Sequence, residues 1–298
     1  MTTAADLPFE LVQEILKFSA WSSSKQAAIL ARVSHHTHTL CLTFYSLHHP
    51  RIEPILFRTL VYWDEEIYWP RQVDQHWLKL RGRHARNLLF CDNDASSLDV
   101  ALVLESCPDL INIAIWLDSS QIHYPSFLEP LAQLRPRQLS IDLHSLFTGP
   151  FEEKHARLPM FLHLTHLEVM STLDFEDWSY MEGIKHLPKL THLSLPRDRD
   201  SITVTALIIQ NALTHCSRLA IIVLFSEASS STKNGNDTGG VVVETSLPPT
   251  IQDIGDPRIV SLACHGFLEE WSVGSQGGRD MWTVAEEIVE KRTSTRKV

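Results

Sequence analysis

The sequence predicts a mixed α/β chain: a short helical segment, then a long run of strands backed by helices, then a closing helix. Three observations carry this prediction. Apolar residues in the first fifty positions recur at helical spacing. From residue 84 onward an apolar frame L-x-x-L-x-L returns at a near-constant step, with a helical pattern between successive copies. Near the end, one more amphipathic stretch follows the last copy of the frame.

The totals limit what such a chain can do. Its 298 residues are enough for a sizeable core, and 44% hydrophobic with 21% charged residues are ordinary globular values. A formal charge of −10 offers no long-range attraction to phosphate backbones or anionic membrane surfaces, so nucleic acid and membrane are not expected partners. Cys41, Cys91, Cys107, Cys216 and Cys264 are widely spaced, odd in number and without a CxxC pair. That argues against a disulfide framework or a zinc knot, and reduced thiols in cytoplasm or nucleus are expected. A secretory signal and a membrane-spanning run are not expected either.

The first element is "LPFELVQEILKF", residues 7–18. Pro8 suits a first helical turn, and Glu10 favours the positive end of the dipole, so a helix is expected over 8–20. "WSSSKQ" breaks it, "QAAILARV" forms a second helix ending near Val33, and Ser34 caps a third, "HHTHTLCLTFYSL", closed by Pro50. Three helices totalling about 45 residues bury too little surface to stand alone. Some of Leu7, Leu11, Ile15 and Leu16 should therefore face a second protein.

The stretch "LPFELVQEILKF…AAILARVSHHTHTL" resembles an F-box, with its Leu-Pro pair, acidic residue, Leu-x-x-x-Ile-Leu helix and small apolar helix ending in Val-Ser. "RIEPILFRTLVYW" is similar to the segment that trails the box in many fungal F-box-like proteins, so the resemblance spans residues 7–63. Where the family often carries bulky aromatic or basic residues after Val-Ser, this chain has His35, His36 and Thr37. The resemblance implies docking onto the Skp-type adaptor of a cullin-RING ubiquitin ligase, through Leu7, Pro8, Glu10, Leu11, Ile15, Leu16, Leu30 and Val33. The alternative is that these residues form the core of a three-helix cap on the following domain. Residues 1–50 are thus read as the box, and 51–83 as a linker and N-terminal cap.

The frame then repeats at Ala85/Leu88/Phe90, Leu110/Ile113/Ile115, Pro136/Leu139/Ile141, Leu164/Leu167/Val169, Leu190/Leu193/Leu195, Leu219/Ile222/Leu224 and Ile259/Leu262/Cys264. First anchors lie 25, 26, 28, 26, 29 and 40 residues apart. The long last step contains "SSSTKNGNDTGG", which cannot fill a core and reads as a flexible insertion within 227–246. Helical patterns such as "SSLDVALVLES", "PSFLEPLAQL" and "SITVTALIIQNALTH" fill the intervals. A strand and a helix every 25 to 29 residues resembles a leucine-rich repeat, which implies an irregular solenoid over residues 84–278, with parallel strands on a concave face and helices behind. The Asn or Cys that the family places after the third anchor occurs only as Asn93. "RDMWTVAEEIVEKR", with Asp280 as cap, is expected to close the array within residues 279–298, and "TSTRKV" to fray.

Residues between anchors point away from the helices. They include Asn112, Ala114 and Trp116; Gln138, Ser140 and Asp142; His166, Glu168 and Met170; His192 and Ser194; Ile221 and Val223; Ser261 and Ala263. Of these, Asn112, Trp116, Gln138, Asp142, His166, Glu168, Met170 and His192 are the candidate target-binding set. His166 and His192 fall at the same frame position of successive repeats and should lie about 5 Å apart on a solvated face. Such a pair could meet a partner's acidic residue, respond to pH or hold a metal, although a simple echo of the repeat unit is the plainer explanation. Trp116 and Met170 are of the types that anchor protein ligands, the alternative being that Trp116 folds over the rim of its strand as satellite core.

The eleven glycines form no GxGxxG, GxxxxGK[ST] or GxSxG, and HExxH is missing. The histidine clusters lack carboxylate or cysteine partners at ligand spacing, so neither a metal nor a cofactor is expected. The expected function is a non-catalytic substrate-recognition subunit of a ubiquitin ligase, which acts by proximity. A protein-interaction scaffold whose box only caps the solenoid is the alternative. A hydrolase using His166, His192 and Glu168 is a distant third.

Overall fold

Short period-2 runs of Leu, Ile, Val and Phe, each bounded by turn residues, build strands that are buried from the helix side. The structure, a computed structural model, describes residues 57–63, 75–91, 96–117, 123–170, 178–197, 202–227, 241–243, 247–264 and 266–295. The expected helices of residues 1–50, with the adaptor-binding set Leu7, Pro8, Glu10, Leu11, Ile15, Leu16, Leu30 and Val33, lie outside the described residues, as do Asn93 and 229–240.

Among the described residues nine strands form one open sheet: β1 (Thr59–Trp63), β2 (Asn87–Cys91), β3 (Asn112–Ile115), β4 (Gln138–Ile141), β5 (His166–Val169), β6 (His192–Pro196), β7 (Ile221–Glu227), β8 (Val241–Val243) and β9 (Ile259–Cys264). Their order is β1-β2-β3-β4-β5-β6-β7-β9-β8. Every pair is parallel except β8 with β9, so each strand as far as β7 lies beside its predecessor in sequence. A connection between adjacent parallel strands must cross over one face of the sheet, and the intervening helices do so.

Those helices are α1 (Gln75–Arg81), α2 (Ser97–Ser106), α3 (Leu128–Gln133), α4 (Leu143–Phe147), α5 (Glu153–Ala156), α6 (Ile202–His215) and α7 (Pro249–Gln252). Their buried side chains, among them Leu78, Val103, Leu131, Leu146 and Ile208, join the strand residues Leu60, Leu88, Phe90, Ile113, Ile115, Leu139, Ile141, Leu167, Val169, Leu193, Leu195, Ile222 and Leu224 in one back core. Local chemistry sets the helix starts. Ser96 and Asp99 form a capping box on α2. Asp142 caps α4, its carboxylate accepting from the His144 and Ser145 amides at 3.0 and 3.1 Å. Between β5 and β6 a 3-10 helix, Trp178–His186, replaces the α-helix. It approaches Phe151 so closely that the Gly183 amide donates to the Phe151 carbonyl at 2.6 Å, and a Cβ at Gly183 would stand 2.7 Å from that oxygen.

Two further helices, α8 (Phe267–Ser275) and α9 (Met281–Thr295), lie on the opposite, front face. There Met281, Trp282, Val284 and Ala285 pack with Ile221, Val223, Phe225, Val260, Leu262 and Cys264 in a second core. Asp280 caps α9 as expected, accepting from the Thr283 amide at 2.9 Å and its hydroxyl at 2.7 Å.

Several expectations need correction. Residues 51–83, read as linker and N-terminal cap, contain β1, where Phe57, Leu60 and Tyr62 fit the frame one 28-residue step before Ala85. The frame at β9 is displaced by three residues: Ile259, expected as a first anchor, pairs with the second anchor Ile222 and joins the back core, while Val260, Leu262 and Cys264 face α9. All six residues of β9 are buried, so alternation no longer marks a face. The 227–246 segment carries the edge strand β8, and α9 continues through Thr295 where fraying was expected. The closing helix covers the front of the sheet rather than the end of the array.

Candidate functional site: the covered front face

The parallel register places the first front-facing residues of six strands in one row: Thr59, Asn87, Asn112, Gln138, His166 and His192. Asn87 Nδ2 donates to Thr59 Oγ1 at 3.0 Å, and Asn112 Nδ2 donates to Asn87 Oδ1 at 2.9 Å. Asn87 Nδ2 also donates to the Ser275 carbonyl at 2.9 Å, which ties the end of α8 to the second strand. A second row, Ala114, Ser140, Glu168, Ser194 and Val223, runs beside the first.

At the other end of the first row, the His166 and His192 rings stack at 4.0 Å with planes 9° apart. Each Nδ1 lies 2.8 Å from the hydroxyl of the preceding threonine, Thr165 or Thr191. Those hydroxyls donate their protons to the Arg137 and Thr165 carbonyls at 3.0 and 3.1 Å. Each Nδ1 must therefore carry the hydrogen that reaches the hydroxyl oxygen, and in the neutral ring Nε2 keeps the lone pair. His192 Nε2 lies 3.2 Å from Glu286 Oε1, yet off the direction of a hydrogen bond, and has no hydrogen-bond partner among the described residues. Two acceptors facing each other account for that misalignment. Burial, and then the neighbouring His192, push His166 down to about 3. Burial also holds His192 below the usual imidazole range, against the raising effect of Glu286.

Glu168 sits in the second row with 7% of its surface exposed. Burial pushes its carboxyl up to about 7, while a hydrogen bond from Ser140 acts in the opposite direction. Ser140 Oγ in turn accepts from Trp116 Nε1 at 2.7 Å, so one chain of hydrogen bonds links β3, β4 and β5. From the helix side, Glu270 accepts from the Met281 amide. Burial is the main cause that pushes Glu270 up to about 8; the Met281 amide lowers it, and the charges of Glu168 and Asp280 raise it further.

Aromatic contacts seat the helices. Trp282 meets His166 and His192 edge-on at 5.1 and 5.7 Å. The Phe267 ring lies 6.3 Å from Trp116 and 5.0 Å from Phe225. β3 and β7 are four strands apart, about 19 Å in a flat sheet. Trp116 leans over β4, where its Nε1 donates to Ser140, and Phe267 spans the remaining distance to Phe225.

The sequence-based target-binding set is thus on one side of the sheet but does not form an open, solvated surface. Glu168 and His192 are buried, and Asn112, Trp116, Gln138, Asp142, His166 and Met170 are half-buried. The expected separation of the histidines holds within an ångström, whereas their expected exposure does not, because α9 lies over them. Asp142 is engaged as a helix cap. Sequence reasoning missed Asn87, Glu270, Trp282, Glu286 and Phe267. Asn87 was legible, since it stands before Leu88 as His166 stands before Leu167 and His192 before Leu193. The helix residues carried no such signal, because nothing in an amphipathic pattern names the surface it will cover.

The arrangement brings together imidazoles held low by burial, two carboxyls pushed up by burial, and aromatic edges. The stacked imidazoles present parallel, not converging, Nε2 lone pairs, and among the described residues no cluster of three or more His, Cys, Asp or Glu could hold a metal ion. No described helix is long and apolar enough to cross a membrane. Comparison with protein-family models gives no match, and neither does comparison with curated protein sequences.

Proposed function

We propose that this chain is a non-catalytic recognition subunit of a cullin-RING ubiquitin ligase, confined to cytoplasm or nucleus, with no cofactor of its own. In this reading residues 1–50 form the F-box-like adaptor-docking helices, and the sheet with its crossover helices is a degenerate leucine-rich-repeat solenoid that presents a protein target. The observation that supports it best is the strand order. From β1 to β7 each strand pairs with the next in sequence, at the 25-to-29-residue step of the apolar frame, which is the connectivity of a stacked repeat array. The function would be proximity: the box holds the adaptor, the array holds the target, and the transfer chemistry belongs to other subunits.

The test is co-purification of the full chain with a Skp-type adaptor, wild type against a Leu11→Asp, Ile15→Asp double variant. Adaptor recovered with the wild type and lost with the variant is the expected result. Equal recovery from both, or none from either, removes the ligase reading.

The alternative, an interaction scaffold whose box only caps the array, gains support from β1. Among the described residues the sheet begins at Thr59, close in sequence to residues 1–50, as it would if helices there covered its first strand. An adaptor that fails to co-purify, together with loss of solubility on deleting residues 1–50, would favour the scaffold.

A further inference from the structure

The chain's own last two helices occupy the front face, and the way they sit there defines what that face accepts. Trp282 and Glu286 are four residues apart, so they share one side of α9. Trp282 covers both imidazoles edge-on, and the Glu286 carboxylate reaches His192. Farther along, Phe267 fills the slot between Trp116 and Phe225, and Asn87 holds the last carbonyl of α8. We propose that the front face of β2 to β7 is a helix-binding surface, and that α8 and α9 occupy it as an intramolecular stand-in for a partner's helix carrying an aromatic residue and, four positions later, a carboxylate.

The argument for displacement is the chemistry that closure buries. Met281, Trp282, Val284 and Ala285 contribute apolar burial, which favours closure. Against it, closure buries Glu270, whose carboxyl is raised by that burial and further by the charge of Glu168, and it holds Glu286 off the direction of a hydrogen bond to the buried His192 Nε2. A partner helix that supplies the aromatic and the outer carboxylate, but no equivalent of Glu270, keeps the favourable contacts and avoids the second buried acid. Its charge also fits, because the outer carboxylate is the group that can share a proton with His192. This inference rests on reading the front face as the recognition surface, and not on the ligase assignment, which the adaptor experiment tests separately.

The probe is a fluorescein-labelled peptide of residues 279–295, titrated by anisotropy into the full-length protein as wild type, Trp282→Ala and Glu286→Ala. Amide exchange of β5 to β7 reports in parallel that the sheet remains folded. The expected result is weak binding to wild type and binding about tenfold tighter to Trp282→Ala, because a larger fraction of molecules has the face free. A smaller gain is expected for Glu286→Ala. Its side chain is 57% exposed, so this variant decides the matter if Trp282→Ala fails to fold. A control peptide with alanine at both positions should bind none of the three. The inference is overturned if neither folded variant binds the probe more tightly than wild type. It is equally overturned if the control peptide binds as well as the probe.

Discussion

Replacing Glu168 with glutamine tests the physical basis of the covered face. Glutamine keeps the size of the side chain and an oxygen to accept the Ser140 hydrogen bond, but it cannot ionise. With the folded carboxyl at about 7 against an ordinary 4.5, the wild-type protein binds more protons folded than unfolded between those two values. A raised value means that the contribution is fully present below pH 4.5 and is lost as pH rises through 7, amounting to about 3 kcal/mol by pH 8. The histidines act in the opposite sense, since their lowered values reduce stability as pH falls below about 6.5, but they act in both proteins. Urea unfolding of wild type and Glu168→Gln at pH 4.5 and pH 8 therefore reports the Glu168 carboxyl together with its repulsion of Glu270, which the glutamine also removes. The stability difference between variant and wild type should move by about 3 kcal/mol in favour of the variant between the two pH values. If the difference is the same at both, Glu168 ionises freely in the folded state, and α8 and α9 do not exclude water from it.

Other perturbations probe different parts of the same construction. Asn87→Ala leaves the Ser275 carbonyl and the Asn112 amide without their partner, and should cost about 1 to 3 kcal/mol in urea unfolding; a loss within experimental error would mean the asparagine row is solvated. Phe267→Ala removes the half-buried ring that bridges β3 and β7, with an expected cost of about 2 kcal/mol and faster amide exchange in α8 ahead of the back helices. Uniform acceleration across the molecule would refute a separate role for the front layer. Gly183→Ala places a methyl 2.7 Å from the Phe151 carbonyl and should lower the melting temperature through about 1 to 3 kcal/mol of overpacking; an unchanged melting temperature would contradict that close approach. His166→Gln removes a ring that resists protonation down to about 3, so the variant should lose less stability than wild type between pH 7 and pH 4. Parallel acid-unfolding profiles would show the ring to be solvated.

The sequence by itself determined how neighbouring strands relate. A period-2 pattern with one face apolar specifies which side chains point to the helices, and a step of 25 to 29 residues leaves room for one crossover, so each strand lands beside the one before it. The His166 and His192 pair and the row that includes Asn112 and Gln138 follow from that register alone. Where the periodic signal was incomplete less was legible: β1 lies in the stretch read as linker and N-terminal cap, and β9, buried on both faces, admits two registers. Only the tertiary structure decided what lies on the front face. The pattern of α9 states that one side of a helix is apolar, and that is satisfied equally by the end of a repeat array or by the front of a sheet. The contacts of Phe267 with Trp116 and Phe225 seat a two-helix segment over the space in front of the strands. Filling it turns Glu168 and His192 from expected surface groups into buried ones, because burial depends on atoms distant in sequence and not on any local pattern.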